Sequence, residues 1–230
     1  MPIRRLVSRL RGIFSPDEAP SAEAPLIIVI TPEAEVPGEI ATVKKLFAAG
    51  LTKLHLRRHD WGAQDYRDWI LEIPQKYRSR LVLHGHPELV AEYRLGGIHL
   101  QSDRGPHRKK RGKGGRDLPE GVTISRSCHD YSELLQGPKD CAYATLGPVF
   151  PSVSKRGYGP RRTPEEYAAI IDYWRDENHG HPVVALGGVT PENIGRVRRM
   201  GFAGVAVVGA VWESENPVAA FRALRDGWSM

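Results

Sequence analysis

Two apolar runs near the C-terminus each stop at glycine: VVALGGVT over 183–190 and VAVVGAV over 205–211. Glycine lets a backbone come close to an anion and adopt positive φ, and free N–H groups at a helix start supply donors. Gly187, Gly188, Val208 and Gly209 therefore read as a main-chain cradle for phosphate, a stronger role than tight turns alone. Upstream, KLHLR over 53–57 puts His55 and Arg57 two residues apart, on one face of a strand. An arginine can clamp phosphate oxygens with two donors; the plainer role for Arg57 is to pair with a carboxylate at a barrel mouth. His59 follows, then His84-Gly85-His86. His84 and His86 show no evident third ligand, so they do not read as a zinc site. In SRSCHD over 125–130, Ser127 and His129 offer a hydroxyl and an imidazole, and imidazole suits proton transfer because it titrates near neutral pH.

Short apolar strands recur along the chain to position these groups: LIIVI (26–30), KLHLR (53–57), RLVLHG (80–85), GIHL (97–100), VTISRS (122–127), YATLG (143–147), PVVALGG (182–188) and VAVVG (205–209). Helical patterns fall between most of them, including one over 66–77 and one over 190–201 with Thr190 as N-cap and Pro191 in its first turn. Such alternation indicates parallel βαβ units, and eight strands predict a (β/α)8 TIM barrel. The rival, a doubly wound open sheet, lacks its G-x-G-x-x-G fingerprint. In the barrel, the glycine-ended runs become the loops after strands seven and eight, where phosphate is commonly bound.

The 230 residues are 40% hydrophobic, enough for a substantial core, and no apolar run approaches the roughly 20 residues of a membrane span. Cys128 and Cys141 are too few for a disulfide framework and read as buried structural thiols. With no signal-peptide pattern, a cytoplasmic protein is expected. The net charge of +6 points to anionic partners, yet much of the excess lies in the first eleven residues and in 104–116. Residues 1–14 read as a basic amphipathic helix that packs on the domain, a second subunit or an anionic surface, and 15–25 as a linker. The division is thus 1–25, extension and linker, and 26–230, barrel. The stretch RGPHRKKRGKGGRD (104–117) holds seven lysines and arginines but no stacking ring, so it reads as a solvated insertion; nucleic acid is not an expected partner.

The segment PVVALGGVTPENIGRVRRMGFAGVAVVGAVW resembles the C-terminal third of the thiamine phosphate synthase superfamily, which includes thiazole tautomerases. LGPVFPSVSKRG (146–157), SRSCHD, GIHLQSD (97–103) and LHLRRHD (54–60) extend the likeness over about 26–228. The resemblance implies an enzyme joining a thiazole phosphate to an aminopyrimidine diphosphate, with magnesium assisting the departure of pyrophosphate. Arg57 matches the arginine of a Gln-x-Arg-x-Lys pattern, while His55 and His59 replace its glutamine and lysine. Ser127 and His129 match a Ser-x-His motif, and Ser152, Ser154 and Lys155 match a Thr-x-Thr-Lys loop that covers the diphosphate. At the end of strand three, His84-Gly85 replaces an Asn-Asp pair whose aspartate binds magnesium; Asp103 matches the second metal carboxylate. Two readings follow: a synthase, favoured because phosphate donors persist on three loops, and a tautomerase using only the phosphate anchor and His129. A non-catalytic protein binding phosphorylated ligands, or nucleic acid through 104–116, is the alternative of another class. Related barrels often associate, which leaves room for a homo-oligomer.

Overall fold

The computed structural model describes residues 25–101, 122–136, 141–152, 159–176 and 181–230. The N-terminal extension, the basic insertion, Asp103, Ser154 and Lys155 lie outside these residues. Eight strands, β1 (Leu26–Ile30), β2 (Lys53–Leu56), β3 (Leu81–Leu83), β4 (Gly97–Leu100), β5 (Thr123–Cys128), β6 (Tyr143–Leu146), β7 (Val183–Leu186) and β8 (Gly204–Val207), close into a barrel in sequence order. Every neighbouring pair is parallel, and β8 returns to β1 with Ile28 opposite Ala206. The predicted (β/α)8 barrel is observed. Among the described residues its helices are α1 (Glu39–Ala48), α2 (Ala63–Leu71), α3 (Gln75–Arg78), α4 (Pro87–Glu92), α5 (Tyr131–Gln136), α6 (Pro164–Asp176), α7 (Ile194–Arg199), α8 (Gly209–Trp212) and α9 (Pro217–Ser229).

Alternation along each strand builds two cores. Outward residues such as Val29, Leu54, Leu56, Leu83 and Ala185 pack against the helices, whose apolar stripes supply Leu46, Phe47, Ile70, Ile170 and Leu224. Inward, a second cluster of Ile28, Ile30, Tyr143, Val184 and Ala206 fills part of the barrel. The interior is divided. Strands β7, β8 and β1 contribute aliphatic side chains, whereas β2, β4 and β5 contribute His55, His99 and Ser125, all buried.

Two helix expectations need correction. The pattern over 66–77 is two helices, because Pro74 has no N–H to continue the ladder and instead precedes α3. Thr190 is not the cap of α7. Residues 190–193 form a turn in which Asn193 Oδ1 accepts from the Thr190 N–H at 2.9 Å, and Asn193 itself occupies the N-cap position. Cys128 and Cys141 are buried, and burial pushes the Cys128 pKa up to about 11, which keeps it unreactive.

Candidate active site at the barrel rim

The C-terminal ends of β7 and β8 carry the glycine corner. Gly187 and Gly188 have φ of 95° and 65°, a region that side chains with a Cβ avoid. A Cβ on Gly188 would lie 2.2 Å from the Pro151 carbonyl oxygen and 2.7 Å from Phe150 Cβ. The cause is an extension of β6 beside β7, with Val149 N–H donating to Leu186 O at 3.0 Å and Phe150 N–H to Gly187 O at 3.1 Å. The glycines thus serve packing as well as conformation, and they bring Ser152, which follows directly, alongside the corner. Among the described residues the N–H groups of Gly188 and Gly209 donate to no backbone carbonyl. Val208 is the residue preceding α8, and its carbonyl accepts from Val211 and Trp212. We expect Gly188→Ala to displace the 148–151 segment and raise KM for a phosphorylated substrate about tenfold or more, since positive φ and a clash both oppose the methyl group. Unchanged steady-state kinetics would remove this corner from the site.

Arg57 stands just past β2. Its backbone N–H donates to Thr31 Oγ1 at 3.0 Å and the Thr31 hydroxyl donates back to Arg57 O at 3.3 Å, tying the ends of β1 and β2 together. The guanidinium pairs with Glu33 at 3.2 Å and donates to His59 Nε2 at 2.7 Å. Glu33, on the loop after β1, was not singled out from sequence. With side-chain exposures of 29% and 49%, the Arg57–Glu33 pair is open to solvent and weak, so an incoming phosphate can replace the carboxylate.

Below the rim, three imidazoles meet. His55 Nδ1 lies 2.9 Å from His84 Nε2, and His55 Nε2 lies 2.6 Å from the Tyr143 hydroxyl. His99 reaches Ser125 Oγ through Nδ1 and Ser127 Oγ through Nε2, each at 2.8 Å. The rings of His84 and His99 stack at 4.4 Å between centroids, and His55 contacts both. Burial lowers the pKa of all three. For His99 it falls to about 3, with the nearby Arg57 charge as a lesser cause. His55 and His84 lie well below the usual value, for burial first and then for neighbouring histidines. All three are therefore neutral at pH 7. Thr145, on β6 level with Ser127, is buried, and its hydroxyl has no partner among the described residues.

Not all the imidazoles noted in the sequence come together. His86 adopts φ of 55°, turns away and bonds Glu88 at 3.0 Å; the third imidazole beside His55 and His84 is His99. His129 is exposed past the end of β5, where its backbone N–H donates to Glu133 Oε2 at 2.8 Å. His99, Ser125, Tyr143 and Thr145 were missed. The available signal was the period of two: Ser127 on the inner face puts Ser125 there as well.

Magnesium needs hard oxygen donors. β3 runs into His84-Gly85, and the groups converging there are imidazole nitrogens, with Asp103 outside the described residues. The described donor set does not fit magnesium.

A closed parallel barrel with polar groups in its mouth and at its C-terminal strand ends is a (β/α)8 protein with its candidate site in the position usual for that fold. Residues 26–211 match the family model described as thiamine monophosphate synthase, and the chain belongs to that family. It is 27% identical over 197 residues to the thiamine-phosphate synthase of Desulfitobacterium hafniense strain Y51, covering 82% of this chain and 89% of the relative. It is 28% identical over 211 residues to that of Thermus thermophilus, covering 87% and 95%. Among solved structures, a thiamine phosphate pyrophosphorylase from Bacteroides thetaiotaomicron superposes with a TM-score of 0.70 at 26% identity, covering 88% of this chain and 97% of that one. The Pyrococcus furiosus protein of the same name shares the fold, with a TM-score of 0.66 at 21% identity. No helix among the described residues is long and apolar enough to cross a membrane.

Proposed function

We propose that the chain is a thiamine phosphate synthase, a transferase that joins a thiazole phosphate to an aminopyrimidine diphosphate and releases pyrophosphate. The observation that carries this reading is the glycine corner: backbone donors at Gly188 and Gly209 that no backbone carbonyl among the described residues uses, in a chain whose relatives bear that name over most of their length. The corner anchors the thiazole phosphate and so fixes the approach of the acceptor ring. Arg57 and Ser127, with Ser152, Ser154 and Lys155, neutralise charge gathering on the departing diphosphate. The carbon–oxygen bond to the diphosphate breaks, pyrophosphate leaves with the electron pair, and the thiazole nitrogen captures the pyrimidine cation. Ile30, Leu186 and Val208 give that cation an apolar wall that excludes water. Magnesium is used generally in this family; here its ligation would rest on Asp103 and the substrate phosphates. The barrel is taken as residues 26–230, with 1–25 as an appended extension.

Purified protein supplied with both substrates, with and without magnesium, tests the proposal. Pyrophosphate release with a joined product supports it. Turnover only of a non-aromatic thiazole precursor, abolished in His129→Ala, would replace it with tautomerisation, and silence in both assays would leave a ligand-binding barrel. We expect Arg57→Ala to lower kcat/KM about a hundredfold while changing stability by less than about 1 kcal/mol. Equal kcat/KM for the two proteins would exclude Arg57 from the diphosphate grip.

A further inference from the structure

The three imidazoles on β2, just past β3 and on β4 have no role in the synthase chemistry above, and their arrangement exceeds what barrel packing requires. They come from successive strands, and one ring nitrogen of each lies within 4.8 Å of the others. We propose that His55, His84 and His99 form a binding site for a late first-row divalent cation, zinc or a close neighbour, within the barrel mouth.

Zinc–imidazole bonds of about 2.0–2.1 Å on a tetrahedral ion place two ligand nitrogens roughly 3.3 Å apart. His55 Nδ1 and His84 Nε2, at 2.9 Å, need to part by only a few tenths of an ångström. The widest separation in the cluster is at most 4.8 Å, and half-buried His84 is the ring placed to move toward the other two. The outer partners are already in place. With Nδ1 of His55 on the metal, its Nε2–H donates to the Tyr143 hydroxyl at 2.6 Å. With Nε2 of His99 on the metal, its Nδ1–H donates to Ser125 Oγ at 2.8 Å. Each hydroxyl can accept from the tautomer that leaves a lone pair facing the ion, the arrangement that outer hydrogen bonds hold in histidine metal sites.

The fourth position faces Ser127, which bonds the ligating edge of His99, and lies level with the buried hydroxyl of Thr145, which has no partner among the described residues. Three neutral ligands leave the ion its full double charge, so this position suits an anion or water. The same donor set that fails to fit magnesium fits zinc, because imidazole is a borderline-soft ligand. His86, although adjacent in sequence to the cluster, is engaged by Glu88 and takes no part.

The readout is binding rather than turnover, so this site stands or falls apart from the synthase reading. Full-length protein stripped with a chelator is titrated with Zn2+ in equilibrium dialysis, and with Co2+ by visible absorption. We expect one equivalent per chain, the d–d bands of a four- or five-coordinate cobalt site, and a rise in Tm with zinc that excess magnesium does not reproduce. His84→Gln, at the most accessible ligand, should weaken affinity at least tenfold, and Tyr143→Phe, which removes only an outer partner, ten- to a hundredfold. His86→Gln should bind as the parent does. Absence of stoichiometric binding would overturn the proposal, as would unchanged affinity in a folded His84→Gln protein or loss of binding on replacing His86.

Discussion

Acid unfolding of this barrel is expected to begin while its carboxylates are still ionised. His55 and His99 are buried and neutral, each with a folded pKa below the value of about 6.5 in an unfolded chain. Below that pH the unfolded state binds more protons than the folded one, so stability falls as pH falls. For His99 the loss continues down to a folded pKa of about 3. Each such group contributes about 1.4 kcal/mol per pH unit once its unfolded form is fully protonated. The two together give roughly 3 kcal/mol per unit, and His84 raises the slope toward about 4. Urea unfolding at pH 7.5, 6.0 and 5.0 measures this directly, because ordinary carboxylates titrate lower. Flat stability across that interval would mean that the rings are hydrated rather than enclosed. Zinc bound at the cluster would raise stability across that interval without changing the slope, since the folded rings are neutral with or without the metal.

Replacing Glu39 with alanine should cost about 3–5 kcal/mol, the penalty for stranding its buried partner charge. Arg58 Nη2 donates to both Glu39 oxygens, at 2.6 and 2.5 Å, and Trp69 Nε1 adds a third bond at 2.9 Å. The side chains are 2% and 5% exposed. Arg58 also donates to the Pro32 carbonyl, and its guanidinium lies over the Trp61 ring at 4.9 Å. Removing the carboxylate alone leaves a cation with no counter-charge in a dry place, loosening the loop between β1 and α1 and with it Glu33 and Arg57. The denaturant midpoint of Glu39→Ala measures the loss, and a shift worth under about 1 kcal/mol would show that water reaches the pair. The double replacement Glu39→Leu with Arg58→Met should recover most of the stability, because apolar groups of similar volume need no partner.

These two predictions mark the boundary of what sequence revealed. The strands were legible because buried parallel strands are short, continuous apolar runs, and the glycine corner was legible because paired glycines interrupt such a run at a helix start. Arg57 was found through its spacing from His55. What sequence did not reveal was which residues meet across strands. His55, His84 and His99 are separated by 29 and 15 positions, and only the register of β2, β3 and β4 stacks them. The same holds for Arg58 with Glu39, whose contact crosses from a strand end to a helix start. From sequence His84 and His86 made a poor metal pair; the fold sets His86 aside on Glu88 and brings His55 and His99 to His84 instead. The broken helix at Pro74 was readable and overlooked, since proline removes a helical donor wherever it falls.

The two-toned lining of the barrel separates the tasks that its walls perform. A flat heteroaromatic ring entering from the rim meets aliphatic surface along β7, β8 and β1, where shape alone decides what fits. Turned the other way, it meets nitrogen and hydroxyl groups along β2 to β5, where charge can be received. Enlarging Ala206 or trimming Ile30 should therefore change which ring is accepted, whereas exchanging Arg57 or Ser127 should change how fast bonds rearrange, and the two kinds of substitution should combine almost independently.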